Sequence, residues 1–576
     1  LFILFFFFPI PISRCTGNIS TTLLPNDDQS LQCDVRAQLE SGWVCGRIRT
    51  AEERVQYASF RGVPYAQQPL GALRFKELQP LKPWSEILVT TEEGPICPQY
   101  DEIYGRMARP VGMSEACIYA NVHVPLNSSN FKYKNQTQIN LPILVYIHGG
   151  GFQIGSSGSD MHGPEYLVSK GVIVITFNYR LNVFGYLSLN SSKIPGNNGL
   201  RDAITLLKWV QRNARAFGGD PDNVTLGGQS CGSVAAHLLS LSDASKGLFK
   251  RLILMSGLAN GGFYTTSPSY ADTVAQMFLG YVGINTTDAD EIHDQLVQMP
   301  LEEIMEANRI VQSKTGVISF APVVEPEHSG ITRILDDYPA NLIKQGRGKD
   351  IPMIIGTTSI ECEYFKNRII YLDLVGLIKE NPAIALPVNI TYSVSSNKAV
   401  ELFQVVSDRY FQGNLTVDQY MPYCTDSFFT YPAIKVSEWR ASMGGAPAYR
   451  YQFNFDSTFN VVKFALMLDY EGGGAHVEDM TFIFRTNSMM DADERSFPPR
   501  TRDDLMKHWM TSFVVNFMRC SHPLCDNQAG WPATDAEQLN FQLINEPVFI
   551  NNNMPLPEDQ RDMFHFHDNL FQIAGL

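Results

Sequence analysis

The sequence of 576 residues lacks several features that define particular classes of protein. It has no run of Lys or Arg, and its formal net charge of -14 leaves no basic face, which excludes a nucleic acid as partner. None of its ten cysteines stands in a metal-ligand spacing, so we expect no metal site. It also has no internal repeat and no low-complexity linker, which excludes a repeat architecture.

Long apolar runs are absent after the first ten residues, so we expect no membrane-spanning segment and no C-terminal membrane anchor. The run over residues 1–10 is too short to span a bilayer as a helix but has the length of a signal-peptide core. A buried strand is the alternative interpretation. We predict a signal peptide at about residues 1–17, whose charged start is not among these residues, and one large domain over residues 18–576.

The composition is that of a globular protein, with 44% hydrophobic and 18% charged residues, enough to bury a large core. Glycosylation sequons favour a secretory route and an extracellular location. There are eight Asn-x-Ser/Thr sequons, at Asn18, Asn127, Asn135, Asn190, Asn223, Asn285, Asn389 and Asn414. The oligomeric state is not predicted by any pattern in the chain.

Cysteines of a secreted protein are expected to pair in part. Local pairing favours Cys97 with Cys117, then Cys520 with Cys525 and Cys33 with Cys45. Cys15 would leave with the signal peptide. The remaining three are expected to be buried free thiols, namely Cys231, Cys362 and Cys424.

Short apolar runs alternate with helical segments along the chain. Four of these runs are continuous, which is typical of strands buried on both faces: residues 144–147, 172–177, 252–255 and 353–355. Residues 200–217 have the pattern of an amphipathic helix. We predict an α/β fold with a mostly parallel central sheet flanked by helices, and a helical, lid-like subdomain over about residues 271–440.

The motif Gly228-Gln229-Ser230-Cys231-Gly232 follows a strand-like run and precedes an apolar helical run. This is the context of a nucleophile elbow, in which a strained serine stands clear of the sheet between two glycines that leave room for a close strand–helix contact. The motif also arises by chance in unrelated proteins. The hypothesis is that Ser230 is a catalytic nucleophile at the positive end of the next helix.

A glycine run at residues 148–152 follows the predicted strand at 144–147. Glycines there let backbone N–H groups converge on a substrate oxygen, although an ordinary glycine-rich turn has the same composition. We assign the oxyanion donors to the amides of Gly150, Gly151 and Cys231. Only the N–H of Cys231 is needed for this role.

A serine nucleophile needs a base and an acid that orients it, in the order serine, acid, histidine on this fold. His476 lies in a glycine-rich turn and is the candidate base, whereas His237 on the helix after the elbow is expected to be a core histidine. Glu361 follows the predicted strand at 353–355 and is the candidate acid, with Glu363 as its competitor.

The chain resembles the type-B carboxylesterase family, the cholinesterase-like α/β-hydrolases, along nearly all of its length. The similar blocks are FRGVPYAQQPLGALRF, SEACIYANVHVP, NYRLNVFGYLS, PGNNGLRD and FGGDPDNVTLGGQSCG. The resemblance implies that Glu361 rather than Glu363 is the acid, that His476 is the base, and that Cys97 pairs with Cys117. It also implies a serine esterase that needs no metal and no organic cofactor.

The chain departs from the usual family pattern close to the serine. Gln229 replaces a common Glu, Cys231 a common Ala and Cys362 a common Gly, while Asn182 and Ala203 replace residues behind the site. The glutamine resembles the insect juvenile hormone esterase branch, which predicts an apolar small-molecule ester substrate. The alternatives are a broad-specificity carboxylesterase and a non-catalytic adhesion protein of the same family.

Overall fold

The computed structural model of the protein describes residues 33–576, with gaps at 102, 127–139, 263–264, 316–317, 329, 491–495, 526–529 and 548–552. The predicted signal peptide and the sequons Asn18, Asn127 and Asn135 lie outside the described residues. Asn190, Asn285 and Asn414 are exposed, whereas Asn223 and Asn389 are half-buried.

Strands and helices are distributed along the whole described chain. The strands are β1 Val35–Leu39, β2 Gly42–Thr50, β3 Gln56–Pro64, β4 Leu88–Val89, β5 Tyr119–Pro125, β6 Leu141–Ile147, β7 Ile173–Phe177, β8 Gly219–Gln229, β9 Arg251–Met255, β10 Met353–Thr358, β11 Ala448–Phe453, β12 Phe541–Ile544 and β13 Asn553–Met554. The helices are α1 Glu165–Val168, α2 Asn182–Tyr186, α3 Asn198–Asn213, α4 Cys231–Leu241, α5 Pro268–Tyr281, α6 Ala289–Gln298, α7 Leu301–Thr315, α8 Pro339–Lys344, α9 Lys366–Tyr371, α10 Leu374–Glu380, α11 Val388–Thr391, α12 Ser396–Tyr410, α13 Val417–Thr425, α14 Tyr431–Ser442, α15 Val461–Leu466, α16 Arg502–Cys520 and α17 Glu558–Ile573.

One large sheet runs through the molecule in the order β1-β2-β3-β5-β7-β6-β8-β9-β10-β11-β12-β13, with β4 paired to β2. From β7 to β12 every neighbouring pair is parallel, and the strands outside this range pair antiparallel apart from β4. The predicted α/β class with a mostly parallel sheet is therefore confirmed. The four predicted strands correspond to β6, β7, β9 and β10.

Alternation along β6 explains why its apolar run is continuous. Ile143, Val145 and Ile147 point into one hydrophobic cluster, and Leu144 and Tyr146 point into a second cluster on the other face of the sheet. A parallel sheet covered by helices on both faces needs apolar residues at every position. The two cores therefore lie on either side of the central strands.

The helical segment predicted over residues 271–440 is observed as the succession from α5 to α14. It is interrupted by β10, which enters the centre of the sheet between β9 and β11. Helix α3 ends at Asn213 and continues as a 3₁₀ turn over Ala214–Phe217, close to the end of the predicted helix. No helix in the described ranges is long and apolar enough to cross a membrane.

Two of the sequence blocks, NYRLNVFGYLS and PGNNGLRD, meet in a buried ion pair. Arg180 Nη2 lies 2.6 Å from Asp202 Oδ1, and Arg180 Nε donates to Asp202 Oδ2 at 2.8 Å. Both side chains are almost fully shielded from solvent. A two-point arginine–carboxylate contact of this kind sets the geometry of both segments, so it fixes the start of α3 against the chain that leaves β7.

The disulfides confirm three of the expected pairs and correct the prediction for two cysteines. Cys33–Cys45, Cys97–Cys117 and Cys520–Cys525 are bonded, and Cys231 is a buried free thiol. The prediction that Cys362 and Cys424 are free thiols is wrong, because these two cysteines form a fourth disulfide. They are 62 residues apart in sequence, and only the packing of α13 against the turn after β10 brings their Cα atoms to 6.0 Å.

Candidate active site

Parallel pairing places the predicted nucleophile and the glycine loop at one edge of the sheet. Ile147, the last residue of β6, pairs with Gly228 near the end of β8. The glycine loop leaves the first strand at this point, and Ser230 leaves the second. Sites of open α/β sheets collect at this carboxyl edge, because consecutive loops emerge there side by side.

Ser230 occupies a strained turn between β8 and α4. Its φ of 57° and ψ of -130° are outside the conformations that a residue with a side chain ordinarily adopts. The turn is held by Ser230 N, which donates to Met255 O at 2.8 Å, and by Val234 N, which donates to Ser230 O at 3.0 Å. The side chain therefore stands where strand and helix meet, as expected for a nucleophile elbow.

The glycines on each side of Ser230 are required by a close contact of backbone with backbone. A Cβ at Gly228 would lie 2.3 Å from the carbonyl of Gly232, and a Cβ at Gly232 would lie 2.1 Å from Ile147 O. Both distances are far below van der Waals contact. No side-chain rotation can relieve them, since the obstructing atoms are main-chain atoms.

The glycine loop uses backbone conformations that favour glycine. Gly150 has a φ of 112° and Gly151 a φ of 63°, and both follow the end of β6. Cys231 ties the loop to helix α4, because Phe152 N donates to Cys231 Sγ at 3.0 Å. Burial raises the pKa of the Cys231 thiol to about 12, so this thiol stays neutral at physiological pH. The structure thus places all three predicted oxyanion residues together.

Glu361 and His476 are 115 residues apart in sequence and meet in the structure. His476 Nδ1 lies 2.6 Å from Glu361 Oε2, and both side chains are buried. The other carboxylate oxygen, Glu361 Oε1, accepts from Thr358 N at 2.7 Å. His476 N donates to Glu361 O at 3.3 Å. These bonds orient the imidazole through one nitrogen and leave the other directed away from the carboxylate.

The two competing residues lie elsewhere. Glu363 faces Lys366 at 3.6 Å and is partly exposed, so it does not contact His476. His237 is buried on α4, where its Nδ1 accepts from Ala259 N at 3.1 Å. Burial lowers the pKa of His237 to about 3, which keeps the ring neutral. It is a core histidine with a satisfied ring nitrogen.

Aromatic rings surround the imidazole of His476. Their centroids lie 5.5 Å away for Tyr364, 5.1 Å for Phe365 and 5.0 Å for Phe429. Phe429 comes from the π-helical turn that follows α13, close to the Cys362–Cys424 disulfide. No local motif connects these rings to the histidine, so they could not be predicted from the sequence. They make the surroundings of the base apolar.

The second imidazole nitrogen of His476 makes a contact that the sequence did not predict. Gln229 Nε2 lies 3.0 Å from His476 Nε2, and Gln229 is buried. Within the described residues, no hydrogen bond joins Ser230 Oγ to His476. The one available signal was the replacement of the usual glutamate by glutamine at position 229.

Comparisons with known proteins agree with this architecture. The model of the carboxylesterase family matches residues 34–560. The chain is 48% identical to juvenile hormone esterase of Heliothis virescens over 94% of its own length and 95% of that protein. It is 29% identical to para-nitrobenzyl esterase of Bacillus subtilis over 90% of its own length and 97% of the relative.

A solved structure gives the same result for the fold. The crystal structure of juvenile hormone esterase from Manduca sexta, with OTFP covalently attached, has 51% sequence identity and a TM-score of 0.89. The match covers 93% of this chain and 99% of that chain. The chain therefore belongs to the carboxylesterase family and is a carboxylic-ester hydrolase.

Proposed function

We propose that the protein is a secreted serine esterase that hydrolyses the methyl ester of a juvenile hormone. One observation carries the catalytic part of the proposal: buried Glu361 holds one nitrogen of His476 at 2.6 Å, at the sheet edge where Ser230 occupies a strained elbow. The 48% identity to the Heliothis enzyme supports the substrate. The resemblance at Gln229 supports it as well.

In the proposed reaction, Ser230 Oγ attacks the carbonyl carbon of the ester while His476 Nε2 accepts the hydroxyl proton. Glu361 holds the ring by accepting from Nδ1–H and stabilises the imidazolium that forms. The tetrahedral intermediate collapses to an acyl-enzyme, and the alcohol leaves with the proton from His476. Water then attacks the acyl-enzyme with the same base and regenerates the serine.

Backbone amides bind the oxygen that becomes negatively charged in this reaction. We assign this role to the N–H groups of Gly150, Gly151 and Cys231. The first two follow β6, and the third begins helix α4, whose positive end favours an anion. Such donors are already in place before the reaction, which is why they lower the barrier without a cost of reorganisation.

The apolar surroundings of His476 fit a long apolar ester better than a small polar one. Tyr364, Phe365 and Phe429 pack around the buried imidazole of this base. Contacts between a long hydrocarbon chain and apolar side chains position the ester for attack, and this binding energy raises the specificity constant. A short ester makes few of these contacts.

The substrate proposal is tested by comparing kcat/KM for a juvenile hormone methyl ester and for a short-chain aryl ester such as para-nitrophenyl acetate. We expect the long methyl ester to be preferred by about tenfold or more, which is about 1.4 kcal/mol of differential transition-state binding. A methyl ester of a straight-chain fatty acid of the same length is the control for chain length alone.

Equal or inverted preference contradicts the hormone substrate and leaves a broad-specificity carboxylesterase, the second candidate, which the similarity to para-nitrobenzyl esterase favours. Secretion is tested separately. We expect insect cells that express the full chain to release it into the medium with a new N-terminus near residue 18. Retention of the chain with its first residues intact would contradict a cleaved signal.

A further inference from the structure

The side chain of Gln229 is hydrogen-bonded to His476 Nε2, the nitrogen that accepts the proton of Ser230 in the proposed reaction. Gln229 Nε2 is 3.0 Å from His476 Nε2, and both residues are buried. Gln229 Oε1 packs against Gly149, where an added Cβ would lie 2.7 Å from this oxygen. The absence of a side chain at Gly149 is therefore what makes room for the carboxamide.

The direction of this hydrogen bond follows from the other nitrogen. The carboxylate of Glu361 can only accept, so the proton of a neutral imidazole resides on His476 Nδ1. His476 Nε2 then carries a lone pair, and the amide N–H of Gln229 donates to it. This is the same lone pair that must accept the proton of Ser230.

We propose that Gln229 is a positioning residue that holds His476 as a neutral base between turnovers by donating a hydrogen bond to Nε2. The amide is displaced when the nucleophile hydroxyl turns towards the imidazole. The inference rests on the proposed function, because it assigns Gln229 a role towards the base of that reaction. The proposed role concerns the protonation state of His476 when no substrate is bound.

The chemistry of residue 229 decides how easily the imidazole is protonated. An amide N–H that donates to Nε2 is compatible only with the neutral ring, because the imidazolium carries a proton there. A methionine at the same place makes no such bond and favours neither form. A glutamate would place a negative charge beside Nε2 and stabilise the imidazolium. The pH at the midpoint of the acid limb of the pH–rate profile is therefore expected to increase in the order Gln, Met, Glu at residue 229.

Other titratable groups lie on the segments around His476 and must be separated from this effect. Glu361 and Tyr364 contact His476, Asp479 lies close to both His476 and Glu361, and Tyr451 donates to Asp479. Glu478 is next to Asp479 in the chain but bonds to Asn460, and Cys231 begins α4. Burial raises the pKa of Asp479 to about 6 and that of Glu478 to about 8. These two carboxyls titrate within the range of the experiment.

The experiment measures kcat/KM against pH from 5 to 9 for the parent enzyme, Gln229→Met and Gln229→Glu. We expect the acid limb of Gln229→Glu to move to higher pH by about one unit or more, and that of Gln229→Met to lie between the other two. Glutamate is the residue common at this position in the family, so this variant is expected to fold. Thermal unfolding checks both variants.

Matched controls remove the remaining explanations. Gln276→Glu adds the same charge at an exposed position of α5, and we expect it to leave the midpoint pH of the acid limb unchanged. The series is repeated in Asp479→Asn and Glu478→Gln backgrounds, where the order Gln, Met, Glu is expected to persist. A difference that disappears in either background would assign the effect to that carboxyl and overturn the inference.

The outcome separates this inference from the proposed function. The order Gln, Met, Glu in folded variants supports it, and coincident limbs or any other order overturns it in favour of a packing role for Gln229. If Ser230→Ala retains the turnover of the parent, the proposed function itself fails. If Ser230→Ala is inactive and the limbs coincide, only the inference fails.

Discussion

The candidate active site has two halves that are built in different ways. The nucleophile half consists of the ends of β6 and β8 with residues 148–152 and 228–232, and its geometry comes from backbone contacts such as the close approach of Gly232 to Ile147. The acid–base half consists of Glu361 and His476, which are joined by one side-chain hydrogen bond across 115 residues of sequence.

This difference determines how each half responds to change. The nucleophile half depends on two short motifs whose glycines have a steric reason, so a single carbon added at Gly228 or Gly232 disturbs it. The acid–base half depends on packing among distant segments, including the Cys362–Cys424 disulfide and the ring of Phe429. A substitution in the acid–base half should therefore lower activity by changing the orientation of the imidazole, not by displacing Ser230.

The largest expected effect comes from removing the nucleophile. Ser230→Ala should lower kcat by a factor on the order of 10⁶, since triad members act as a unit, while the fold is retained. Loss of stoichiometric labelling by an organophosphate provides the second measurement. Ser240→Ala, on the same helix but bonded within it to His237 O, is the control that should keep its activity. Comparable turnover in Ser230→Ala would falsify the assignment.

Removing the acid should have the next largest effect. Glu361→Gln should lower kcat by about 10³- to 10⁴-fold, because the amide no longer fixes the tautomer and orientation of His476. Glu363→Gln should change kcat by less than about twofold, since the carboxylate of Glu363 lies 3.6 Å from Lys366 and not at His476. Steady-state kinetics of the two variants measure both changes in kcat. The reverse pattern would transfer the acid role to Glu363.

Opening the disulfide of the acid–base half should cost stability. By loop entropy, replacing both Cys362 and Cys424 with Ala should lower the free energy of unfolding by about 4 kcal/mol, because the bond closes a loop of 62 residues. The same change at Cys520 and Cys525, which are 5 residues apart, should cost about 2 kcal/mol. Denaturant titration measures both, and a larger loss at the short loop would contradict the argument.

A change in stability of similar size to that at the short disulfide loop is expected at the elbow. Gly232→Ala should destabilise the fold by about 1–3 kcal/mol, because its Cβ meets Ile147 O at 2.1 Å and the strand must move. Gly280→Ala is the matched control, since its helical site is open and alanine should stabilise it slightly. Thermal unfolding distinguishes the two signs. Equal behaviour would mean that the elbow tolerates a side chain.

Short-range information predicted much of the nucleophile half. Continuous apolar runs identified β6, β7, β9 and β10, and a serine between two glycines predicted the elbow, because both signals come from neighbours in the chain. For the acid, position after a strand left Glu361 and Glu363 open, and the family resemblance decided between them. In the structure Glu361 contacts His476, and its role as the acid stays a prediction.

The remaining features depend on contacts between distant segments, which no local pattern encodes. Cys362 and Cys424 were expected to be free because nothing in their spacing indicates that α13 packs against the turn after β10. The rings around His476 and the amide of Gln229 at its Nε2 likewise come together only in the folded chain. The pattern of apolar residues along the chain determines the strands and helices, and local steric contacts determine the elbow. Burial and tertiary packing determine which polar groups meet.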